Sequence, residues 1–220
     1  MALNANNSKN AGGSFKRQNM EPGTYPARLV SVVDLGLQPQ RAYQGQEKPD
    51  AYEFMLTYEF VDEFMKDENG DDIEDKPRWL TEFMPLYSLS SERAKSTVRY
   101  NAFDPNHVHE GNWPDLLGTP VLVTVVNNPG KNDVVYDNIA AVASMRDKDA
   151  QKCPDLINLP MVFDLDEPDL EVFNALPTFA QKKIKDNLEF PGSKLADMLA
   201  TNAEEAVADD DEVDEDENPY

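Results

Sequence analysis

The two histidines of the chain, His107 and His109, are the first side chains to test for chemistry, because imidazole serves as acid, base and metal ligand. They stand two positions apart in an extended His-Val-His stretch, so their side chains should diverge. No second group of metal ligands lies at a fitting spacing. The pattern favours a turn before Gly111 over a metal or catalytic site.

A second candidate is the acidic stretch DENGDD, which resembles the opening of a calcium loop. Asp67, Asn69 and Asp71 occupy the first, third and fifth positions of such a loop. The sixth position, where glycine is expected, is Asp72, and the twelfth, where a bidentate glutamate is required, is Arg78. The pattern therefore predicts a solvated hairpin tip and no bound metal.

Other catalytic signatures are missing from the sequence. It contains no phosphate-binding GxxxxGK[ST] or GxGxxG motif and no GxSxG motif. The single cysteine, Cys153, can form neither an intrachain disulfide nor a cysteine-rich zinc site. We expect neither an enzyme nor a cofactor.

A binding function is better supported, because arginine, lysine and aromatic residues alternate in several segments. Single-stranded nucleic acid is bound by bases that contact phosphates and by rings on which nucleobases stack. Trp79 and Phe83 could equally fill the core, whereas Arg41, Tyr43 and Lys131 fall in predicted loops, which are rarely core. The candidate DNA-binding residues are Arg28, Arg41, Tyr43, Lys48, Arg78, Trp79, Phe83, Tyr87, Arg93, Lys95, Arg99, Tyr100, Lys131 and Tyr136.

The net charge first argues against that function. The 220 residues include 42 acids and 20 bases, which gives a net charge of −22 and repels phosphate. The charge is unevenly distributed, however. Residues 201–220 hold ten acids and no base, and residues 62–76 hold eight acids and two lysines. Without segment 62–76, residues 14–146 hold thirteen acids and eleven bases, which is close to neutral.

The acidic C-terminal segment has too few apolar residues to fold alone and too much like charge to collapse. Such a run is often a solubilising tail. The aromatic residue at its end, Tyr220, favours a second interpretation, a docking peptide whose ring anchors in a partner's pocket.

The candidate residues must be positioned by a mainly β domain. Periodicity and turn residues predict strands over 24–37, 51–64, 78–88, 119–128 and 133–145, with a helix over 91–103. This order, with the helix between the third and fourth strands, is typical of a five-stranded OB-fold barrel, and a β-sandwich is the alternative. In an OB-fold, the loop over 38–50 and the loop between the last two strands flank the oligonucleotide groove.

The second predicted strand has two distinct faces. Tyr52, Phe54, Leu56, Tyr58 and Phe60 alternate on one face, and we expect them to fill the barrel core rather than to stack on bases. The opposite face would then show Glu53 and Glu59, which suits DNA poorly. The acidic hairpin over 62–76 should emerge at the end of the barrel opposite the 38–50 loop.

These patterns divide the chain into four parts. We expect residues 1–22 to form a flexible arm, 23–146 the OB-fold domain, 147–200 an irregular linker with short helices packed on the core, and 201–220 a disordered acidic tail. The short helices begin near Pro168 and after Pro177. The polar start predicts no signal peptide, and no apolar run approaches the length of a membrane helix.

The five-stranded layout, the Asn- and Gly-rich arm, the helical appendage and the tail DDDEVDEDENPY together resemble a bacteriophage single-stranded DNA-binding protein. The resemblance implies a soluble protein of the host cell cytoplasm, and leaves a homodimer open. It also implies that the tail recruits phage DNA polymerase and primase-helicase and competes with DNA for the groove. The tail residues concerned are Asp209, Asp210, Asp211, Glu212, Asp214, Glu215, Asp216, Glu217 and Tyr220.

Two other classes of function remain open at this point. An acidic DNA mimic would use its carboxylates to occupy a DNA-binding enzyme and would have no affinity for DNA itself. A structural or assembly protein of a virion would also ignore oligonucleotides but would form defined oligomers.

Overall fold

A computed structural model describes residues 18–42, 44–130 and 134–210 of the chain, with side chains as far as residue 202. The described chain is mainly β, as the alternating patterns predict. Its strands are β1 Gly23–Gln38, β2 Ala51–Lys66, β3 Asp72–Pro85, β4 Pro120–Pro129, β5 Val135–Ser144 and β6 Met161–Phe163. Its helices are α1 Lys95–Phe103, α2 Asp147–Ala150, α3 Leu170–Ala175, α4 Thr178–Lys185 and α5 Lys194–Asp210, with a 3₁₀ turn at Pro114–Leu116.

The strands form one six-stranded sheet centred on β1. Five of them are ordered β3-β2-β1-β4-β5, and each neighbouring pair is antiparallel. One edge of β1 is shared by two strands, because β4 pairs with residues 23–28 and β6 pairs in parallel with residues 31–33. The order of the first five strands and α1 agrees with the sequence prediction.

The predicted closed barrel of five strands is not confirmed. The sheet has a sixth strand, and β3 and β5 share no backbone pairing among the described residues. The two edges nevertheless approach each other, since Nη2 of Arg78 on β3 lies 3.7 Å from Oδ2 of Asp137 on β5. The sheet therefore curls towards closure and is joined at this point by side chains.

Apolar residues are buried on both faces of the sheet, in two separate clusters. The cluster on the inner face includes Leu29, Phe54, Leu56, Tyr58, Phe60, Tyr100, Phe103, Trp113, Val121, Val123 and Val125. The cluster on the outer face includes Val33, Leu35, Met55, Phe163, Phe173, Leu176, Ala180, Ile184 and Leu195. The predicted core face of β2 is confirmed at Phe54, Leu56, Tyr58 and Phe60, whereas Tyr52 is half exposed.

The outer cluster is covered by the part of the chain that follows β5. The two short helices predicted after Pro168 and Pro177 are present as α3 and α4. Three other elements of this part of the chain were not predicted: α2 and β6 lie in a segment expected to be irregular, and α5 runs to Asp210. The predicted tail boundary at residue 201 therefore falls within a helix.

The end of α4 is fixed to β1 by backbone and side-chain contacts. The backbone N–H of Leu188 donates to the carbonyl of Leu37 at 2.9 Å. Asn187 is buried against Gly36. The φ of Gly36 is +73°, a left-handed conformation that glycine adopts without strain. A side chain at position 36 would lie within 2.7 Å of Asn187, so this close approach requires glycine.

Glu82 is a buried carboxylate that joins β3 to α1. It accepts hydrogen bonds from Nε of Arg99 at 2.7 Å and from the Tyr58 hydroxyl at 2.8 Å, and Nζ of Lys95 lies 2.7 Å away. Burial raises the pKa of the Glu82 carboxyl, but its hydrogen bonds and charge interactions with Arg99 and Lys95 outweigh burial. The net pKa is therefore below the ordinary value.

We expect Glu82→Gln to destabilise the protein by about 3 kcal/mol at pH 7, because it leaves the Arg99 guanidinium buried without a counter-charge. A carboxyl with a lowered folded-state pKa stabilises the fold above its unfolded pKa of about 4.3, and that contribution is lost as pH falls through the folded-state pKa. The difference between the two proteins should therefore shrink below about pH 4. Denaturant unfolding at pH 7 and pH 3 measures it.

The matched control is Glu74→Gln on the same strand, because Glu74 is exposed. We expect that change to stay within about 0.5 kcal/mol at either pH. An equal loss for Glu82→Gln at both pH values would contradict the ionic role of Glu82.

Candidate nucleic-acid interface

Two aromatic rings project from the outer face of β3. Side chains alternate along a strand, so Leu80, Glu82 and Met84 point inward while Trp79 and Phe83 point outward. Half of each ring residue is exposed, 50% for Trp79 and 52% for Phe83. Four positions along a strand separate them by roughly 13 Å. We call this surface the β3 face.

The Trp79 ring is held in place by Glu59, its partner on β2. The indole N–H of Trp79 donates to Oε2 of Glu59 at 3.1 Å. The same carboxylate accepts from the backbone N–H of Ile157 and from Nδ2 of Asn158, each at 2.7 Å. Glu59 thus ties β2, β3 and the linker together at one buried point.

The burial of Glu59 corrects a sequence prediction. The alternation of β2 placed Glu53 and Glu59 on an open outer face, but only 1% of Glu59 is exposed. Three N–H donors satisfy its oxygens, so its charge is shielded beneath the linker. Glu53 is also largely covered, and its Oε2 lies 2.7 Å from Nζ of Lys183.

The polar groups beside the rings are occupied by one another. The hydroxyls of Thr57 and Thr81 share a hydrogen bond of 3.1 Å, and the only polar atom of the Trp79 side chain is bound to Glu59. Next to them the linker exposes apolar side chains, with Leu159 89% exposed and Ile157 49% exposed. The β3 face therefore offers ring and alkyl surface with few free hydrogen-bonding groups.

One end of the β3 face carries a positive charge that sequence reasoning did not assign to the site. Nζ of Lys183 on α4 lies 5.1 Å from the centroid of the Phe83 ring, within cation–π range. Lys183 was visible in the sequence as part of a lysine run, but its proximity to β3 depends on how the appendage folds back.

The loop between β1 and β2 lies near the same end of the sheet. Nε2 of Gln40 in this loop donates to Oε1 of Glu53 at 2.8 Å, and Glu53 contacts Lys183 through its other oxygen. Arg41 and Lys48 of this loop are exposed. The acidic hairpin tip lies at the opposite end of β2, as predicted.

Three other candidates lie at the surface outside β3 and the loop between β1 and β2. Tyr87 follows β3 and is 48% exposed, and Tyr136 at the start of β5 is 42% exposed. Arg93 is exposed just before α1. Tyr43 and Lys131 lie outside the described residues.

Arg28, a candidate for phosphate binding, is instead engaged with the protein. Its guanidinium donates to the backbone carbonyls of Gly118, Cys153 and Pro154 at 2.5 to 2.8 Å. It also contacts the exposed carboxylate of Asp155 at 3.2 Å. These bonds fasten the linker to β1, which removes the donors that a phosphate would need.

Four further candidates are also used by the fold. Arg99 is buried against Glu82, and Lys95 is paired with the same carboxylate. Tyr100 is buried, and its hydroxyl donates to Asp104. Arg78 pairs with Asp137 and donates to the carbonyl of Gln18, closing the gap between the sheet edges. The prediction placed Arg99 and Tyr100 at the DNA surface, whereas both lie on the buried face of α1.

The tail candidates are only partly within the described chain. Asp209 and Asp210 form the last residues of α5. The others lie outside the described residues: Asp211, Glu212, Asp214, Glu215, Asp216, Glu217 and Tyr220.

The described residues contain no group of three or more His, Cys, Asp or Glu side chains placed to hold a metal ion.

Burial raises the pKa of the Cys153 thiol above its ordinary value despite the nearby Arg28, which disfavours a reactive thiolate. Across the described ranges, no helix is long and apolar enough to cross a membrane.

Comparison of the chain with protein-family models, with curated proteins and with solved structures finds no significant match.

We expect Glu59→Gln to loosen the Trp79 ring. In the native protein, Oε2 of Glu59 accepts hydrogen bonds from both Trp79 and Asn158. The glutamine side chain has only one acceptor oxygen, and its NH₂ group, in the place of Oε2, would face these two donors. Acrylamide quenching of tryptophan fluorescence should increase and fluorescence anisotropy should fall. The change in acrylamide quenching reports Trp79, because the quencher has little access to Trp113, which is only 7% exposed.

The matched control is Asn158→Ala, which removes a different donor and leaves the bond between Trp79 and Glu59 in place. Its quenching should stay close to that of the unmodified protein. Unchanged quenching in Glu59→Gln would contradict the role of Glu59 in holding the ring.

Proposed function

We propose that this protein binds single-stranded DNA without sequence preference, through the β3 face of a partly open OB-type barrel. The observation that carries the proposal is the pair of half-exposed rings, Trp79 and Phe83, on one face of one strand. Exposed aromatic residues cost solvation free energy in a free protein, so a pair on one face indicates a binding surface.

The topology supports an OB-type fold. The strand order β3-β2-β1-β4-β5, the helix α1 between β3 and β4, and the close approach of β3 to β5 at Arg78 are features of such a barrel. OB-folds bind oligonucleotides on the face of the second and third strands, between two flanking loops. The β3 face and the loop carrying Arg41 and Lys48 occupy the equivalent places.

The chemistry of the β3 face suits unselective binding. Stacking on an aromatic side chain contributes about 1–3 kcal/mol per base and tolerates any base, because every base has a π-face. The N–H of Trp79 is bound to Glu59, and the hydroxyls of Thr57 and Thr81 are bound to each other. Few hydrogen-bonding groups of the β3 face are therefore available to recognise the edges of particular bases.

The strong acidity of the chain does not oppose this site. Glu59 is buried beneath the linker, Glu53 is paired with Lys183, and the acidic hairpin tip lies at the far end of β2. Arg41, Lys48 and Lys183 are placed to contact phosphates at the near end. The local balance of charge therefore differs from the net charge of −22.

In this proposal the protein is a non-catalytic coat for DNA in phage replication, recombination or repair within the host cell. The acidic tail is attracted to the basic groups of the site until DNA displaces it. The displaced tail then recruits polymerase and primase-helicase. Asp209 and Asp210 belong to α5, and the other acidic residues assigned to this role lie outside the described residues.

We expect oligo-dT to quench the fluorescence of the protein through Trp79, with an affinity that falls as salt rises, because counterions are released. Trp79→Phe should keep most of the affinity while losing the fluorescence change. Trp79→Ala should weaken binding by about 1–3 kcal/mol, the contribution of one stacked base. Fluorescence titration and anisotropy of labelled oligo-dT measure the two effects.

The control is Val108→Ala, an exposed apolar residue (73%) in the loop after α1, which should not alter the affinity. A folded protein that does not bind oligo-dT at low salt would refute the proposal. It would then favour an acidic DNA mimic, or a virion protein if defined oligomers are present.

We expect deletion of residues 211–220 to raise the affinity for oligo-dT at low salt, because it removes a competing polyanion. The gain should shrink as salt screens the tail. A second variant, with each Asp and Glu of residues 211–217 changed to Asn or Gln, separates charge from chain length and should behave like the deletion. Equal affinity of the truncated and full chains would contradict tail competition.

A further inference from the structure

Helix α4 carries a ring and a cation on one face, next to the β3 face. Phe179 is 54% exposed, and Lys183 lies four residues later on the same helical face. The Nζ of Lys183 is the atom that sits 5.1 Å from the centre of the Phe83 ring. One short path therefore runs from Trp79 through Phe83 and Lys183 to Phe179.

Helix α4 also differs in charge from its surroundings. Thr178–Lys185 contains three lysines and no acid, whereas residues 147–200 as a whole hold eleven acids and six bases. A positive segment in an acidic appendage is complementary to a polyanion and poorly suited to basic protein partners. The nearby ring of Phe179 adds a surface on which a base could stack.

The helix is firmly held, so its outward face is a fixed surface. Ala180 and Ile184 are fully buried in the outer cluster. The helix end is joined to β1 through Asn187 and through the backbone bond from Leu188 to Leu37. Burial of one face orients the face that carries Phe179 and Lys183 towards solvent beside β3.

We propose that α4 is part of the single-stranded DNA interface, with Phe179 stacking a further base and Lys183 contacting the phosphate between that base and the base on Phe83. This inference rests on the proposed function, and it extends the binding site from the barrel onto the C-terminal appendage. Neither residue belongs to the barrel in which the sequence located the groove.

The free protein already contains the partner that Lys183 would exchange for a phosphate. Its ammonium group lies 2.7 Å from Oε2 of Glu53. When the ammonium moves to a phosphate, Glu53 keeps the hydrogen bond from Nε2 of Gln40 to its other oxygen. The exchange therefore leaves Oε1 hydrogen-bonded and the buried Oε2 without a partner, a cost that the phosphate contact must exceed.

Phe179→Ala tests the stacking contact by its dependence on oligonucleotide length. With oligo-dT of about twelve nucleotides, long enough to reach α4 from the barrel, affinity should fall about ten-fold, whereas with about four nucleotides it should change less than about two-fold. The slope of log affinity against log salt should stay unchanged, because no charge is removed. Anisotropy titration of labelled oligonucleotides measures both quantities.

Lys183→Ala tests the phosphate contact. The slope of log affinity against log salt should fall in magnitude by about 0.7, the value for one phosphate contact on a single strand, and Lys183→Arg should restore it. The matched control is Lys182→Ala, a neighbour on the same helix that pairs with Asp186. It should change the slope by less than Lys183→Ala does. Thermal melting of each variant verifies that the fold is retained.

The outcomes separate this inference from the proposed function. If Trp79→Ala weakens binding while Phe179→Ala and Lys183→Ala do not, the barrel binds DNA and the extension onto α4 is wrong. Equal slope changes for Lys182→Ala and Lys183→Ala would also overturn it, since α4 would then act only through its net charge. A protein that binds no oligo-dT would refute both.

Discussion

The burial of β1 on both of its faces is the constraint on which the rest of the fold depends. Leu29 and Val32 belong to the inner cluster, while Val33 and Leu35 belong to the outer one. A strand that is apolar on both sides must be covered twice. The curled sheet with α1 covers the inner side, and the appendage, which adds β6 to the free part of the β1 edge, covers the outer side.

The appendage is centred on β1, whereas β3 lies at the edge of the sheet. The position of β3 explains why its rings are exposed. The appendage reaches across β1 and β2, where it buries Met55 and Glu59, but it covers the outer face of β3 only in part, with Lys183 beside the Phe83 ring. Trp79 and Phe83 therefore remain half exposed beside covered neighbours. Buried carboxylates fix both sides of this arrangement, since Glu59 holds the linker over β2 and Glu82 holds α1 beneath β3.

The sequence was sufficient to predict the order of the first five strands and α1, because alternation and turn residues are local signals. It could not show that Glu59 is buried, since the groups that cover it, at Ile157 and Asn158, are distant in the chain. Three-residue β6 has no periodicity of its own and exists only because β1 offers an unpaired edge. For the same reason Lys183, remote in sequence from Phe83, was not assigned to the site.

The linker before β6 is held mainly by polar contacts, from Arg28 to the carbonyls of Cys153 and Pro154 and from Ile157 and Asn158 to Glu59. Its apolar Leu159 already faces solvent. Opening this segment therefore exposes little additional apolar area, and the free energy of such local opening should depend only weakly on denaturant. Amide hydrogen exchange at residue 157 can thus proceed by a fluctuation that leaves both hydrophobic clusters intact, while the amides of β1 exchange through global unfolding.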